Sequence, residues 1–509
     1  MKLAFAKNTK RNLVAGFLNQ GVAFVFPFLN RTLFLWLLGP EFLGLNGLFR
    51  SVLGVLSLAE LGFGTAIVCS MYKPIADDDR ELVCAYLRFY RTIYRAIGTI
   101  VLVVGLAMLP FLRFLIHGDV PAGVDLTVLF LIHLANSALS YFLFAYRGPI
   151  LTAFHRNDVS LHIHTVAQAV QYVTVFFVLL FTRNYYAYIG TTVLFTAGTN
   201  LLVLRESVRL FPQIGPRGNL PAELRRRVVS DVKSIFLHKI GGVISQSADN
   251  LVVSSFLGLA AVAVYGNYYY VVTAVAGMMG VFYSAVQSGF GNKIHTESKE
   301  SVFTLFMRMN RMTLAVSALC AGVMLALYQP FIAIWTKNNP DMLRHMFTPV
   351  LMVFHFYVNQ SRQTLLMFKG AAGIWRQDRW KPLVAGALNL SLNFAFIIFL
   401  PEEFKLDGVI FSTTAAYILI QLPWESHAVF TSFFGKAQAR AYWLVQLRYG
   451  AFAALLCLVS WRAARFVMLP GIFGFFVAGS TAFAVALAMS LVAHQRDVFD
   501  VVALIRKKS

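Results

Sequence analysis

Six ionisable side chains interrupt stretches that are otherwise apolar: Arg31, Arg50, Glu60, Arg147, Asp249 and Arg362. A charge inside hydrocarbon costs about 2.5–3.5 kcal/mol on insertion scales, so such positions point to pairing, hydration or ligand contact. Arginine is the most informative type, because its fork meets two phosphate or carboxylate oxygens at once and low dielectric strengthens that contact. Polar residues recur near these positions at three- and four-residue steps. Asn12, Asn19, Gln20, Asn30 and Arg31 share a stripe with small residues, while Phe17, Phe24 and Phe28 lie on another side. His133, Asn136, Ser140 and Arg147 align further on, as do Gly242, Gln246 and Asp249, then His355, Asn359 and Arg362, and finally Thr414, Tyr417, Gln421 and Glu425. Inward polar stripes of this kind predict a hydrated chamber. Arg31, Arg147, Arg362 and Arg50 are its candidate contacts for an anionic headgroup, with Asn19 and Gln20 beside them. Glu60, Asp249 and Glu425 are candidates for charge pairing or for a coupling H⁺ or Na⁺.

Each residue also has a plainer reading. Arg31 and Arg50 can snorkel to an interface. Glu60 can brace a neighbouring arginine, Asp249 can hydrogen-bond adjacent helices, and His133 and His355 can be polar packing. Asp77, Asp78 and Asp79 imitate the acidic metal-binding pair of some glycosyltransferases, but no second ligand cluster accompanies them. A solvated turn opening a helix explains them better. Cys69, Cys84, Cys320 and Cys457 stand without CxxC spacing and read as buried apolar fillers. Neither a resident metal nor an organic cofactor is expected. The nucleotide signature GxxxxGK[ST] is missing, so energy would come from an ion gradient, the membrane potential or consumption of product.

The elements that position these side chains follow from composition. Of 509 residues, 58% are hydrophobic and 13% charged, about half the charged share of a soluble protein. That excludes a soluble enzyme, a coiled coil or a disordered tail, and makes lipid the solvent for most of the surface. A crossing helix needs about 20 apolar residues. This template gives about 14 spans, near 12–37, 44–70, 94–116, 126–152, 161–182, 186–206, 234–257, 262–288, 310–334, 346–369, 382–400, 408–431, 444–461 and 472–494. With the N-terminus inside, the cytoplasmic segments hold 33 Lys and Arg and the outer loops 7, so both termini are expected to be cytoplasmic. The net charge of +21 therefore implies anionic headgroups and loop orientation, not nucleic acid. Outer loops are short and offer no room for a soluble-type active site.

The fold class expected is an all-α polytopic membrane protein. Its divisions are a six-helix N-terminal lobe (1–206), a basic cytoplasmic linker (207–233), a six-helix C-terminal lobe (234–432), and two further helices with a basic tail (433–509). Even span counts let the lobes be parallel copies. A trace of repetition supports this: Arg31 precedes Gly39 as Asn250 precedes Gly258, and Gly-Phe-Gly recurs at 62–64 and 289–291.

Longer strings carry a resemblance. NRTLFLWLLGPEFLGLNGLFRSVLGVLSLAELGFGTAIVCSMYKPIADDD resembles the opening helix pair of bacterial Wzx-like polysaccharide flippases, of the multidrug/oligosaccharidyl-lipid/polysaccharide exporter superfamily. SADNLVVSSFLGLAAVAVYGNYYYVV and SAVQSGFGNKIHTES are similar to that family's seventh and eighth spans. LLMFKGAAGIWRQDRWKPLVAGALNLSLNFAF is similar to its tenth-to-eleventh-span stretch. Ala248-Asp249-Asn250 stands where many relatives have Thr-Asp-Asn, and Lys369 replaces the usual Arg. The resemblance implies two lobes forming a V around a central cavity, in the bacterial plasma membrane. It implies alternating access and a polyprenyl-diphosphate-linked oligosaccharide as substrate, with a polysaccharide polymerase and glycosyltransferases as partners. Arginines would grip the diphosphate, a wet chamber would take the sugars, and the carrier tail would stay in lipid.

Two other functions compete. A multidrug cation/H⁺ or Na⁺ antiporter of the same superfamily would need acidic pocket residues. A membrane glycosyltransferase or polysaccharide polymerase would need catalytic carboxylates or a sizeable outer loop.

Overall fold

The computed structural model describes residues 24–506 apart from Leu61, Asp119, His155 and Trp375, with side chains described mainly outside 233–246, 284–293 and 496–506. The described chain is all-helical and without strands. It separates into two compact units, Met1–Ala263 and Val264–Ser509.

In the first unit the helices are α1 (Phe24–Leu38), α2 (Pro40–Leu56), α3 (Phe63–Ala76), α4 (Arg80–Ala107), α5 (Leu126–Phe142), α6 (Gly148–Ala153), α7 (Asn157–Thr182), α8 (Tyr185–Leu210) and α9 (Ala222–Leu257). The boundary between units falls inside α10 (Leu259–Thr296). The second unit holds α11 (Lys299–Trp335), α12 (Phe347–Ser361), α13 (Gln363–Ala372), α14 (Lys381–Phe399), α15 (Glu402–Ala416), α16 (Leu422–Ser432), α17 (Lys436–Phe466) and α18 (Gly471–Arg506). Ten described helices are long and apolar enough to cross a membrane. The remaining expected spans fall on α1, α2 with α3, α9, and α12 with α13, which are shorter, interrupted or more polar.

Glycine makes the sharp joints. Gly39 (φ 97°, ψ 174°) turns α1 into α2, and Gly258 (φ 89°, ψ 175°) turns α9 into α10, a backbone conformation that side chains disfavour. These are the two glycines that the repeat spacing singles out. The turns also meet: a Cβ on Gly44 would lie 1.9 Å from the Leu259 carbonyl oxygen, so α2 and the start of α10 touch backbone to backbone. The Gly-Phe-Gly pair behaves differently. Gly62 (φ 96°) follows the 3₁₀ turn Ser57–Glu60, whereas 289–291 continue inside α10. Asp79 caps α4 by accepting from the Leu82 amide at 2.9 Å, and exposed Asp78 meets Arg80, which accounts for the aspartate triplet as a helix start.

In the second unit α17 and α18 pack along α11. Gly322 admits the Leu456 side chain, and Ala326, Ala464, Ala478 and Ala482 form a small-residue seam that lets helices approach closely in lipid. Of the cysteines expected to be buried fillers, Cys84 is buried, Cys320 and Cys457 are partly buried, and Cys69 is exposed.

Candidate functional site

Several helices of the first unit share an end. The Tyr186 hydroxyl accepts from the Asp125 amide at 2.8 Å, joining the starts of α5 and α8, and Phe42 packs edge-on against Tyr185 at 5.8 Å. At 1.5 Å per residue, Asn30 and Arg31 on α1, Arg50 on α2, His133 on α5 and Tyr172 on α7 all lie about 10–15 Å from that end. This is near the middle of a hydrocarbon core about 30 Å thick.

Within this layer buried Asn30 donates to the Tyr172 carbonyl at 3.0 Å, and its Oδ1 has no partner among the described residues. His133 is buried with Nε2 3.1 Å from the Tyr185 hydroxyl. Arg31 is half-buried and Arg50 exposed. His133, Tyr172 and Tyr185 lie within electrostatic reach of Arg50. Among the described residues the Arg50 guanidinium makes no hydrogen bond or ion pair. Tyr188 packs edge-on to Phe34 at 5.0 Å and lies 5.8 Å from Tyr185. On α9, Asn250 donates to Ser51 Oγ at 2.9 Å, beside Arg50, and the neighbouring Asp249 is buried. Asp249 lies in the first compact unit and at this same depth.

The other first-unit candidates lie elsewhere. Glu60 closes its 3₁₀ turn and accepts hydrogen bonds from the Tyr94 hydroxyl and, at 2.8 Å, from Tyr141. Its described hydrogen-bond partners are hydroxyls, not the arginine expected. Arg147 follows a break at Phe144 (φ 59°) and is buried. Its Nη1 donates to the Ile214 carbonyl at 2.9 Å, and its Nε has no partner among the described residues. Ile214 belongs to the linker, which docks on this unit: Gly215 N meets Cys84 Sγ at 3.4 Å, Arg88 donates to the Gly218 carbonyl at 3.0 Å, and Phe211 stacks on Phe154 at 4.2 Å. Asn19 and Gln20 lie outside the described residues.

In the second unit Arg362 sits where α12 breaks into α13, opposite a π-helical turn, Tyr417–Gln421, between α15 and α16. Its Nε donates to Glu425 Oε2 at 3.0 Å and its Nη2 to Oε1 at 2.6 Å and to Gln421, with the guanidinium 4.3 Å from the Tyr417 ring centre. Glu425 also accepts from Lys381, Lys381 lies 3.4 Å from Asp378, and Asp378 accepts from Lys369. All five are buried. Arg362, expected to meet a headgroup, therefore has its Nε and Nη2 donors directed to protein acceptors. Lys381, Lys369 and Asp378 were not among the expected site residues. The two lysines were visible as pieces of familiar strings, but nothing in the sequence separates Asp378 from a solvated loop residue. His355 packs against Thr414, with Nδ1 and Oγ1 3.1 Å apart. An apolar groove of about 660 Å³ runs along α17 between Trp443 and Trp461 in this unit. Tyr357, whose hydroxyl has no partner among the described residues, lines it.

The family described as "Polysaccharide biosynthesis protein" matches residues 7–287. No curated protein sequence matches the chain. Among solved structures, the lipid II flippase MurJ in an inward closed conformation is similar, with a TM-score of 0.65 and 13% identity over 95% of this chain and 98% of that one. An inward-facing multidrug resistance MATE family transporter of the MOP superfamily gives 0.61 and 16% over 79% and 94%. A MOP superfamily transporter from Pyrococcus furiosus, described as having a binding pocket of reverse polarity, gives 0.50 and 15% over 82% and 94%. At these identities the likeness concerns the fold.

Proposed function

We propose, since the chain belongs to the polysaccharide biosynthesis protein family within the multidrug/oligosaccharidyl-lipid/polysaccharide exporter superfamily, that it moves polyprenyl-diphosphate-linked oligosaccharide units from the cytoplasmic to the outer leaflet of the bacterial plasma membrane. The observation that carries this reading is Arg50. An open guanidinium at mid-membrane depth, with no described protein acceptor, is costly unless water or an anionic ligand meets it. Arg31 shares its depth, and the two can take diphosphate oxygens in two-point contacts. Arg147 would meet the same headgroup near the linker-bearing end, since its Nε has no partner among the described residues. Arg362 would act indirectly, by holding Glu425 and the π-turn in place.

Unaided, the sugar head would lose water from many hydroxyls while crossing the core, at several kcal/mol each. A polar layer open alternately to either face replaces that water and needs no covalent step. Glu60 and Asp249 are the proposed coupling groups, for H⁺ or Na⁺. The apolar groove on the second unit offers a surface for a hydrocarbon chain. Both termini would lie in the cytoplasm, and polymerase and glycosyltransferases would act on either side of the step.

The test is reconstitution in proteoliposomes, following a fluorescent polyprenyl-diphosphate saccharide from one leaflet to the other. Wild type should accelerate the exchange, and Arg50→Ala should slow it at least tenfold. Exchange at the wild-type rate in Arg50→Ala overturns the reading. Buried Asp249 at the same depth is the feature that a cation antiporter would use. Drug efflux lost in Asp249→Asn and kept in Arg50→Ala would favour that function instead.

A further inference from the structure

The linker between α8 and α9 is held through its own backbone carbonyls, and arginine supplies the donors. Arg88 Nη1 donates to the Gly218 carbonyl at 3.0 Å, Arg217 Nη2 to that of Gln213 at 3.1 Å, and Arg225 Nε to that of Leu220 at 2.7 Å. Gly218 and Leu220 are two residues apart, so the bonded nitrogens of Arg88 and Arg225 lie within about 13 Å of each other even if the chain between is fully extended. Arg217 adjoins Gly218 in the chain, and all three arginines are exposed. A carbonyl accepts a hydrogen bond but has no net charge, so these contacts fix the guanidinium groups without neutralising them. The stretch from Arg205 to Arg227 adds to the excess, with six arginines against two glutamates. One of those glutamates, Glu206, is paired with Arg209 at 3.5 Å. The depth of the cluster is that of lipid phosphate. Arg205 and Arg209 stand about 30 and 36 Å from Tyr185 along α8, at 1.5 Å per residue. On α4, Gly98 packs against Tyr141, which is about 22 Å along α5 from Leu126, and Arg88 lies about 15 Å further from that end. Hydrocarbon accounts for about 30 Å of a bilayer and headgroups extend it to about 40–45 Å, so these arginines fall in the headgroup layer. Exposed Leu201 and Leu202, about one turn before Arg205, mark where acyl chains end.

We propose that the headgroups of anionic phospholipids bind the cluster of Arg88, Arg217 and Arg225 and thereby fasten the linker to the first unit. Phosphate supplies the counter-charge that the carbonyls lack, in the two-point contacts that suit a guanidinium fork. In uncharged lipid the arginines repel one another and the linker opens more often. An acidic protein would meet the same charge, but the depth of Arg88 and Arg205 favours lipid. The inference holds whatever the chain carries across the membrane.

The full-length protein in nanodiscs tests this, with the rate of trypsin cutting at Arg217 as the measure of an open linker. Discs of phosphatidylcholine alone are compared with discs of phosphatidylcholine and phosphatidylglycerol in equal parts. One basic side chain at an anionic surface is worth roughly fivefold, so wild type should be cut at least fivefold more slowly in the anionic discs. Arg88→Gln combined with Arg225→Gln should bring that ratio below twofold. Arg88→Lys combined with Arg225→Lys keeps the charge and should keep most of the ratio. Salt at about 1 M should abolish the wild-type ratio by screening. A pair of Gln substitutions that only loosened the linker would speed cutting in both lipids and leave the ratio intact, which overturns the proposal. Equal cutting of wild type in the two lipids overturns it as well. Protection by soluble polyglutamate in phosphatidylcholine discs, with none from phosphatidylglycerol, would assign the surface to an acidic protein instead.

Discussion

Arg362 and Glu425 form a two-point ion pair inside the second unit, Nε to Oε2 at 3.0 Å and Nη2 to Oε1 at 2.6 Å, with Glu425 fully buried. They come from opposite irregularities, a helix break on one side and a wide turn on the other. Lys381 approaches the same carboxylate, and Asp378 and Lys369 extend the chain. Three cations against two carboxylates leave the group one positive charge in excess, so removing either acid leaves a second cation uncompensated in a dry place.

Glu425→Gln should accordingly destabilise the protein by about 3–5 kcal/mol, the usual consequence of stranding a buried charge. Thermal unfolding of the purified protein in detergent measures it. An unchanged melting temperature would show the pair to be dispensable. Arg362→Ala combined with Glu425→Gln should cost less than the sum of the single variants, because the partners touch.

Arg147→Ala should release the linker. The lost bond joins a charged donor to a carbonyl and is worth about 1.5–3 kcal/mol, which raises the opened population by roughly 10- to 150-fold. Trypsin digestion of membranes, followed at Arg217 beside the docked turn, reads that opening. Arg147→Lys can still reach the Ile214 carbonyl and should be cut at an intermediate rate.

Glu60→Gln tests coupling. The carboxylate accepts two tyrosine hydroxyls, and an amide of the same shape keeps a carbonyl acceptor but cannot gain or lose a proton. In proteoliposomes the variant should retain passive exchange of the lipid-linked saccharide and lose its response to an imposed pH gradient. A response equal to wild type would remove Glu60 from the coupling path.

Gly44 and Gly190 make a matched pair. A methyl at Gly44 would collide with the Leu259 carbonyl, whereas Gly190, inside α8, has nothing within 4 Å. Gly44→Ala should lower stability by about 1–3 kcal/mol or more through overpacking. Gly190→Ala should raise it by about 0.5–1 kcal/mol through lost chain entropy. Melting temperatures in the same detergent compare them directly.

Much of the architecture was legible because lipid leaves few choices. Backbone groups must be paired within each segment, so long apolar runs had to be helices, and Gly39 and Gly258 marked joints that no other residue suits. The candidate site was legible only as far as residue type reaches. Arg50 and Arg362 look alike in sequence, each a cation within an apolar stretch. One is open and the other is held by Glu425, because pairing depends on partners 63 residues away that spacing cannot pick out. Glu60 likewise found Tyr94 and Tyr141, neither of which any periodicity connected to it.

The π-helical winding at Tyr417–Gln421 has a lasting consequence for how this chain can change. An α-helical turn in its place would hold one residue fewer, so deleting one codon there would restore ordinary winding and leave everything downstream in phase. Glu425 would go on facing Arg362 and Lys381, with every charge keeping its counterpart. The wide turn is in effect slack in the chain: a residue can be lost from it without any exchange of counter-charges.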